Sequence, residues 1–166
     1  MRSRSLLFGL ILILTAIGVS AQSGPISPAR PFVVKTKKQV ADITKEIAVQ
    51  DGNKNQDIVG ASGSQMRVAI FHDDLRENDN FEVHDGSDDI YYVLDGMATL
   101  MLGGTLISPS EISPGEWRSK AADGGQKIEI GKGDLIVVPR GTVHQRTVTG
   151  KGFSMILIKV FEARQQ

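Results

Sequence analysis

Between residues 57 and 161 the chain alternates short apolar, β-branched runs with clusters of Gly, Pro, Asp and Asn. The runs are DIVGAS, QMRVAIFH, FEVH, DIYYVLDG, MATLMLGG, QKIEIGKG, DLIVVPRG, HQRTVT and FSMILIKVFE. Many short strands punctuated by turn signals predict an all-β antiparallel sandwich or barrel. Upstream, KKQVADITKEIAVQ sets Val40, Ile43 and Ile47 at the spacing of one helical face, so a short amphipathic helix is expected near residues 38 to 49. DGNKNQ ends it. QSGPISPARP carries three prolines and few apolar groups and reads as the main part of a linker over residues 22–35, with one domain following over 36–166. The stretch SPSEISPGEWRSKAADGG, between MLGGTLI and QKIEI, is expected to be a long loop pinned by Trp117.

The first 21 residues differ from the rest. Arg2 and Arg4 precede the apolar run LLFGLILILTAIGV, and the small residues VSA follow it. That order describes a secretory signal peptide cut near Ala21, and the apolar run is short for a stable membrane anchor. An exported protein, periplasmic or secreted, is therefore expected. Its removal takes away two arginines and no acid, leaving 17 Lys and Arg against 19 Asp and Glu. Near-neutral charge argues against nucleic acid or an anionic membrane surface as partner. The chain has no cysteine, which excludes disulfides, thiolate metal sites and a cysteine nucleophile.

Candidate chemistry concentrates in two segments. In FEVHDGSDDIYYVLDG, Glu82 and His84 lie two apart on a strand and share a face. The turn DGSD follows and Asp89 opens the next strand, so a hairpin would bring Asp89 beside them. Two carboxylates and an imidazole in a barrel interior need a cation or a proton to neutralise them. In GDLIVVPRGTVHQRTV, the turns at Gly133 and at Pro139 to Gly141 aim His144 into the same interior. Each of these has a plainer reading as a solvated or turn residue, and His72 reads as a surface residue at a strand end.

These two segments resemble the paired motifs of the cupin family. Gly133, Pro139, Gly141 and His144 match the fixed positions of the second motif, whereas the first is matched by Glu82, His84, Asp89 and Gly96 with two replacements. Glu82 stands where the family has a first histidine, and Asp89 where it has a glutamate. The resemblance covers roughly residues 64 to 161 and implies a cupin jelly roll, two Greek-key sheets around a central site. It also implies one divalent metal ion held by Glu82, His84, Asp89 and His144. Nitrogen and oxygen ligands without sulfur suit Mn, Fe, Ni or Zn, and the oxygen-rich set tilts toward Mn or Fe.

Alternation places Tyr91 on the face of Asp89 and Arg146 on that of His144, making them candidate catalytic or substrate contacts. A buried Arg146 would pair with a substrate carboxylate or with Asp89. Three function classes follow: an enzyme acting on a small oxygenated molecule as dioxygenase, isomerase or lyase; an exported module binding a sugar, small acid or metal without turnover; and a structural sandwich that binds no metal. Apolar residues on both faces of IYYVL need cover, and the helix or the second subunit of a homodimer is expected to supply it.

Overall fold

The computed structural model describes residues 24–150 and 152–165; the expected signal peptide lies outside the described residues. The chain divides between Phe32 and Val33, and the described part of the first unit, residues 24–32, is exposed and carries no helix or strand. The second unit opens with α1, Lys37–Ala48. Thr36 and Gln39 form its capping box, each side chain accepting from the other's backbone N–H. Ile43 and Ile47 are buried against Ile70, with Val40, Ile58, Leu94 and Ile156 around them. Full burial of each such isoleucine contributes about 1.5–3 kcal/mol, which fixes the helix to the outer face of the sheet.

Twelve strands follow among the described residues: β1 Lys54–Val59, β2 Met66–Asp73, β3 Phe81–His84, β4 Ser87–Leu102, β5 Thr105–Ile107, β6 Ser110–Ser113, β7 Glu116–Ser119, β8 Ala121–Asp123, β9 Gln126–Gly131, β10 Leu135–Val138, β11 His144–Thr147 and β12 Phe153–Phe161. Every ladder between them is antiparallel. β4 belongs to both layers. Its first part, Ser87 to Gly96, pairs with β12 and β10 in a layer that also holds β1 and β2, whereas Met97 to Leu102 pairs with β9 and β11 in a layer that continues to β3, β7 and β6. The core between them is Tyr91, Val93, Leu100, Ile130, Val138, Val148, Phe153, Met155 and Leu157. This is the expected jelly roll.

Two expectations need correction. FEVH and DIYYVLDG do not form a hairpin: β3 pairs with β7 and β11, and Asp85 and Gly86 carry the chain from one layer to the other. The physical reason is side-chain matching. The charged β3 residues meet complementary partners on β7, Glu82 opposite Arg118 and His84 opposite Glu116, while the apolar β4 lies along β12. The segment expected as one long loop holds three strands, β6, β7 and β8, because the stretch SEISPGEWRS turns back on itself at Gly115 and pairs β6 with β7.

The corner in β4 depends on Gly96, the residue that ends the first cupin-like motif. Its φ is +80°, and a Cβ there would fall on the Gly152 carbonyl oxygen and lie 2.9 Å from Phe153 Cα. A side chain is therefore excluded both by backbone conformation and by contact with backbone that cannot yield. Gly96→Ala is expected to lower stability by about 3 kcal/mol or more in urea unfolding, and a loss below about 1 kcal/mol would show that the corner relaxes.

Candidate metal centre

β11 lies beside β3 with His144 opposite Glu82, and alternation along β3 turns Glu82 and His84 to the same side. Glu82, His84 and His144 each offer one donor atom within 4.8 Å of the others. Glu82 Oε2 is 3.7 Å from His84 Nε2 and 3.9 Å from His144 Nε2. Asp89 approaches from the other layer, its Oδ2 3.6 Å from His84 Nε2 and 4.0 Å from His144 Nε2. The structure thus brings Glu82, His84, Asp89 and His144 together, although not through a hairpin. Asp89 is shared with other partners: Lys159 Nζ lies 2.7 Å from its Oδ1, and the Tyr91 hydroxyl donates to its Oδ2 at 3.3 Å.

Both histidines are oriented from behind. His84 Nδ1 is 2.6 Å from a Glu116 carboxylate oxygen, and His144 Nδ1 is 3.0 Å from the Thr142 carbonyl oxygen. Those oxygens accept, so Nδ1 carries the proton in each ring and the Nε2 lone pair is left for the shared volume. His144 Nε2 is buried without a hydrogen-bond partner. Leaving such an acceptor unpaired costs about 1–3 kcal/mol, and a metal ion at the lone pair removes that cost. The donor set fits a divalent cation.

The remaining charges are arranged around this set. Glu82 Oε1 faces Arg118 Nε at 3.5 Å and Arg76 Nη2 at 3.9 Å, which turns its other oxygen to the histidines. Burial alone would lower the His84 pKa, but Asp89 and Glu116 outweigh it, and against the opposing charge of Lys159 the net shift is upward. Burial drives His144 down. For Asp89, burial pushes upward, yet His84 and Lys159 hold the carboxyl at about 2. Burial raises the Tyr91 phenol, so it keeps its proton at neutral pH and acts as a donor.

Glu116 and Arg118 escape sequence reading. Both lie in the segment expected as a loop, and the signal that finds them is the two-residue spacing in EWRS, which puts them on one face of β7. Trp117 does anchor that strand: its Nε1 donates to Asp85 at 2.7 Å. Arg146 is buried, but its carboxylate partner is Asp73 at 2.6 Å rather than Asp89, and its guanidinium lies over the Tyr91 and Phe153 rings. His72, expected at the surface, is buried with Nδ1 2.9 Å from the Ser154 hydroxyl, because β2 runs between β1 and β12 and pairs His72 with Ser154.

A cavity of about 240 Å³ adjoins Glu82, His84, Asp89, Tyr91 and Arg146. A larger groove of about 570 Å³, lined by residues such as Asp95, Thr99, Glu129 and Thr149, gathers no histidine or cation. The site's volume is thus the smaller one. No protein-family model and no curated relative matches the sequence. Solved structures do. The protein BH2720 of Bacillus halodurans aligns over 80% of this chain and 82% of its own at 20% identity, with a TM-score of 0.53. TT1209 of Thermus thermophilus aligns over 78% and 98% at 14% identity, TM-score 0.52. The cupin domain of Schizosaccharomyces pombe Cnp3 aligns over 68% and 66% at 10% identity, TM-score 0.49. The likeness shows the fold, a two-layered antiparallel jelly roll. In this fold the two motif segments lie on β3 to β4 and on β10 to β11, and their ligand-type residues meet in the interior.

Two outcomes follow for this centre. Glu116→Gln should weaken divalent-ion binding about 10–100-fold in a competition titration with a chelator, and an unchanged affinity would remove Glu116 from any role in orienting His84. The raised His84 pKa stabilises the metal-free protein fully below the ordinary 6.5, and this contribution is lost as pH rises through the raised value. Asp89 works the other way, contributing about 2 kcal/mol above its ordinary 3.8 that disappears as pH falls toward about 2. Chelator-treated protein should therefore lose urea stability from about pH 6.5 upward; a flat profile there would contradict the His84 environment described.

Proposed function

We propose that this protein is a cupin that holds one divalent metal ion with Glu82, His84, His144 and Asp89 and receives a small oxygenated molecule in the adjoining cavity. The observation that carries the reading is the buried, unpartnered Nε2 of His144, which faces the Glu82 and His84 donor atoms. Mn or Fe suits the two-carboxylate, two-imidazole set best, with Ni and Zn as further candidates. Such an ion supplies Lewis-acid polarisation of a bound oxygen. The chain's own residues then have separate tasks. Glu116 and the Thr142 carbonyl orient the imidazoles, Arg118 and Arg76 orient Glu82, and Tyr91 offers a proton-bearing oxygen beside Asp89.

A second reading, binding without turnover, is favoured by one feature. Each acid that lines the cavity is engaged by a cation: Glu82 by Arg118, Asp89 by Lys159 and Glu116 by Arg118. A carboxylate so held is a poor general base. The protein group left for proton transfer is Tyr91, and Tyr91→Phe separates the two readings: it abolishes turnover in the first and leaves ligand affinity intact in the second.

We read the protein as exported, on its first 21 residues, and as a homodimer. Support for the dimer comes from β10, which pairs only with β4 among the described residues and leaves Leu135 66%, Val137 57% and neighbouring Tyr92 43% exposed. Two such edges related by a two-fold axis extend one another. Sedimentation at micromolar concentration should give a dimer that Val137→Lys dissociates, and a monomeric parent would refute it.

Elemental analysis tests the metal reading. The parent should carry one divalent ion per chain, and His84→Ala and His144→Ala should carry none. A parent that stays empty when Mn, Fe, Ni and Zn are supplied sinks the proposal.

A further inference from the structure

The cavity beside the metal-ligand candidates is lined by Arg67, Arg76, Arg118, Arg146 and Lys159. Five cations around about 240 Å³ need counter-charges. Asp57 holds Arg67 at 2.7 Å, Asp73 holds Arg146 at 2.6 Å, and Asp73 and Asp79 hold Arg76. Glu82 and Glu116 each lie 3.5 Å from Arg118, and Asp89 is 2.7 Å from Lys159. Six carboxylates thus face five cations, so with neutral histidines the cluster carries one negative charge. A divalent ion reverses this to one positive charge. In a site walled by protein, where charges act through a lower effective dielectric than water, that reversal decides which ligands enter.

One donor is left over. Arg76 Nε is buried without a hydrogen-bond partner, and Arg76 lines both this cavity and a narrower one of about 20 Å³ shared with Glu82, Tyr91, His144 and Arg146. That N–H is covered, but the Arg76 side chain as a whole is 22% exposed, and a guanidinium meets an oxyanion with charge-assisted bonds. The cavity is smaller than the roughly 300–1,000 Å³ of drug-sized sites, which limits the ligand to a few heavy atoms.

Resting on the metal-binding reading above, we infer that the ligand is a small organic molecule bearing a single carboxylate, and that it binds only to the metal-loaded protein. One negative charge matches the one positive charge that the ion leaves. A dianion such as phosphate overshoots it, an amide leaves it unanswered, and the metal-free cluster offers an anion no net positive charge.

Calorimetric titration of the full chain, loaded with manganese or treated with chelator, tests this with monocarboxylates of about two to six carbons, their amides, and inorganic phosphate. At least one acid should bind the manganese-loaded protein about tenfold tighter than its amide or phosphate, and no acid should bind the chelated protein. By linkage that acid tightens manganese binding by the factor by which manganese tightens the acid. Arg67→Gln, which touches none of Glu82, His84, Asp89 or His144, should weaken the acid about fivefold and still load one manganese ion per chain. Amides or phosphate binding as tightly as the acids, acid binding indifferent to manganese, or no acid binding to the loaded protein overturns the inference while the metal site stands. Failure of manganese uptake, read from its own titration, overturns the metal reading and this inference with it.

Discussion

Two imidazoles and two carboxylates share one small volume in a β-sheet interior, and the surrounding structure is arranged to make that burial tolerable. Buried charge is expensive unless paired and hydrogen-bonded. Each member of the set is accordingly held from its far side: His84 by Glu116, His144 by a backbone carbonyl, Glu82 by two arginines and Asp89 by Lys159. These outer partners come from β7, from the segment just after β2, from the turn before β11 and from β12, so the same ladders that build the barrel also hold the site. What stays open is the inward lone pair of each histidine. That opening is what the proposed metal ion would occupy.

The register of β3 gives this arrangement its geometry. Pairing with β11 sets Glu82 against His144, and pairing with β7 sets Glu82 against Arg118 and His84 against Glu116. A one-residue slip would move all of them to the opposite face. β4 completes the set from the other layer, and its corner at Gly96 lets one strand deliver Asp89 and Tyr91 to the site in one sheet while serving the second sheet beyond it.

Much of this is legible in the chain, for identifiable reasons. Period-two alternation and turn residues mark most strands, and the fixed positions Gly133, Pro139, Gly141 and His144 mark the corner that aims β11. The helix follows from Val40, Ile43 and Ile47. What stays hidden depends on pairing partners far apart in the chain. Nothing local in FEVH says that it pairs with EWRS, although His84 and Glu116, 32 residues apart, face each other across that ladder. The supports that Glu116 and Arg118 give are therefore missed along with the strand that carries them. Alternation puts Arg146 inside, but its partner, Asp73, lies on another strand. His72 looks terminal in sequence and is covered because β12 lies beside it.

The central claim is that Glu82, His84 and His144 form a metal site whose imidazole lone pairs are preset by their outer partners. Anomalous scattering from crystals of the manganese-loaded protein tests it most directly. The account predicts one strong peak within about 2.0–2.3 Å of Glu82 Oε2, His84 Nε2 and His144 Nε2. A peak bonded elsewhere, or an interior with His144 Nε2 hydrogen-bonded to water and no ion, would contradict it.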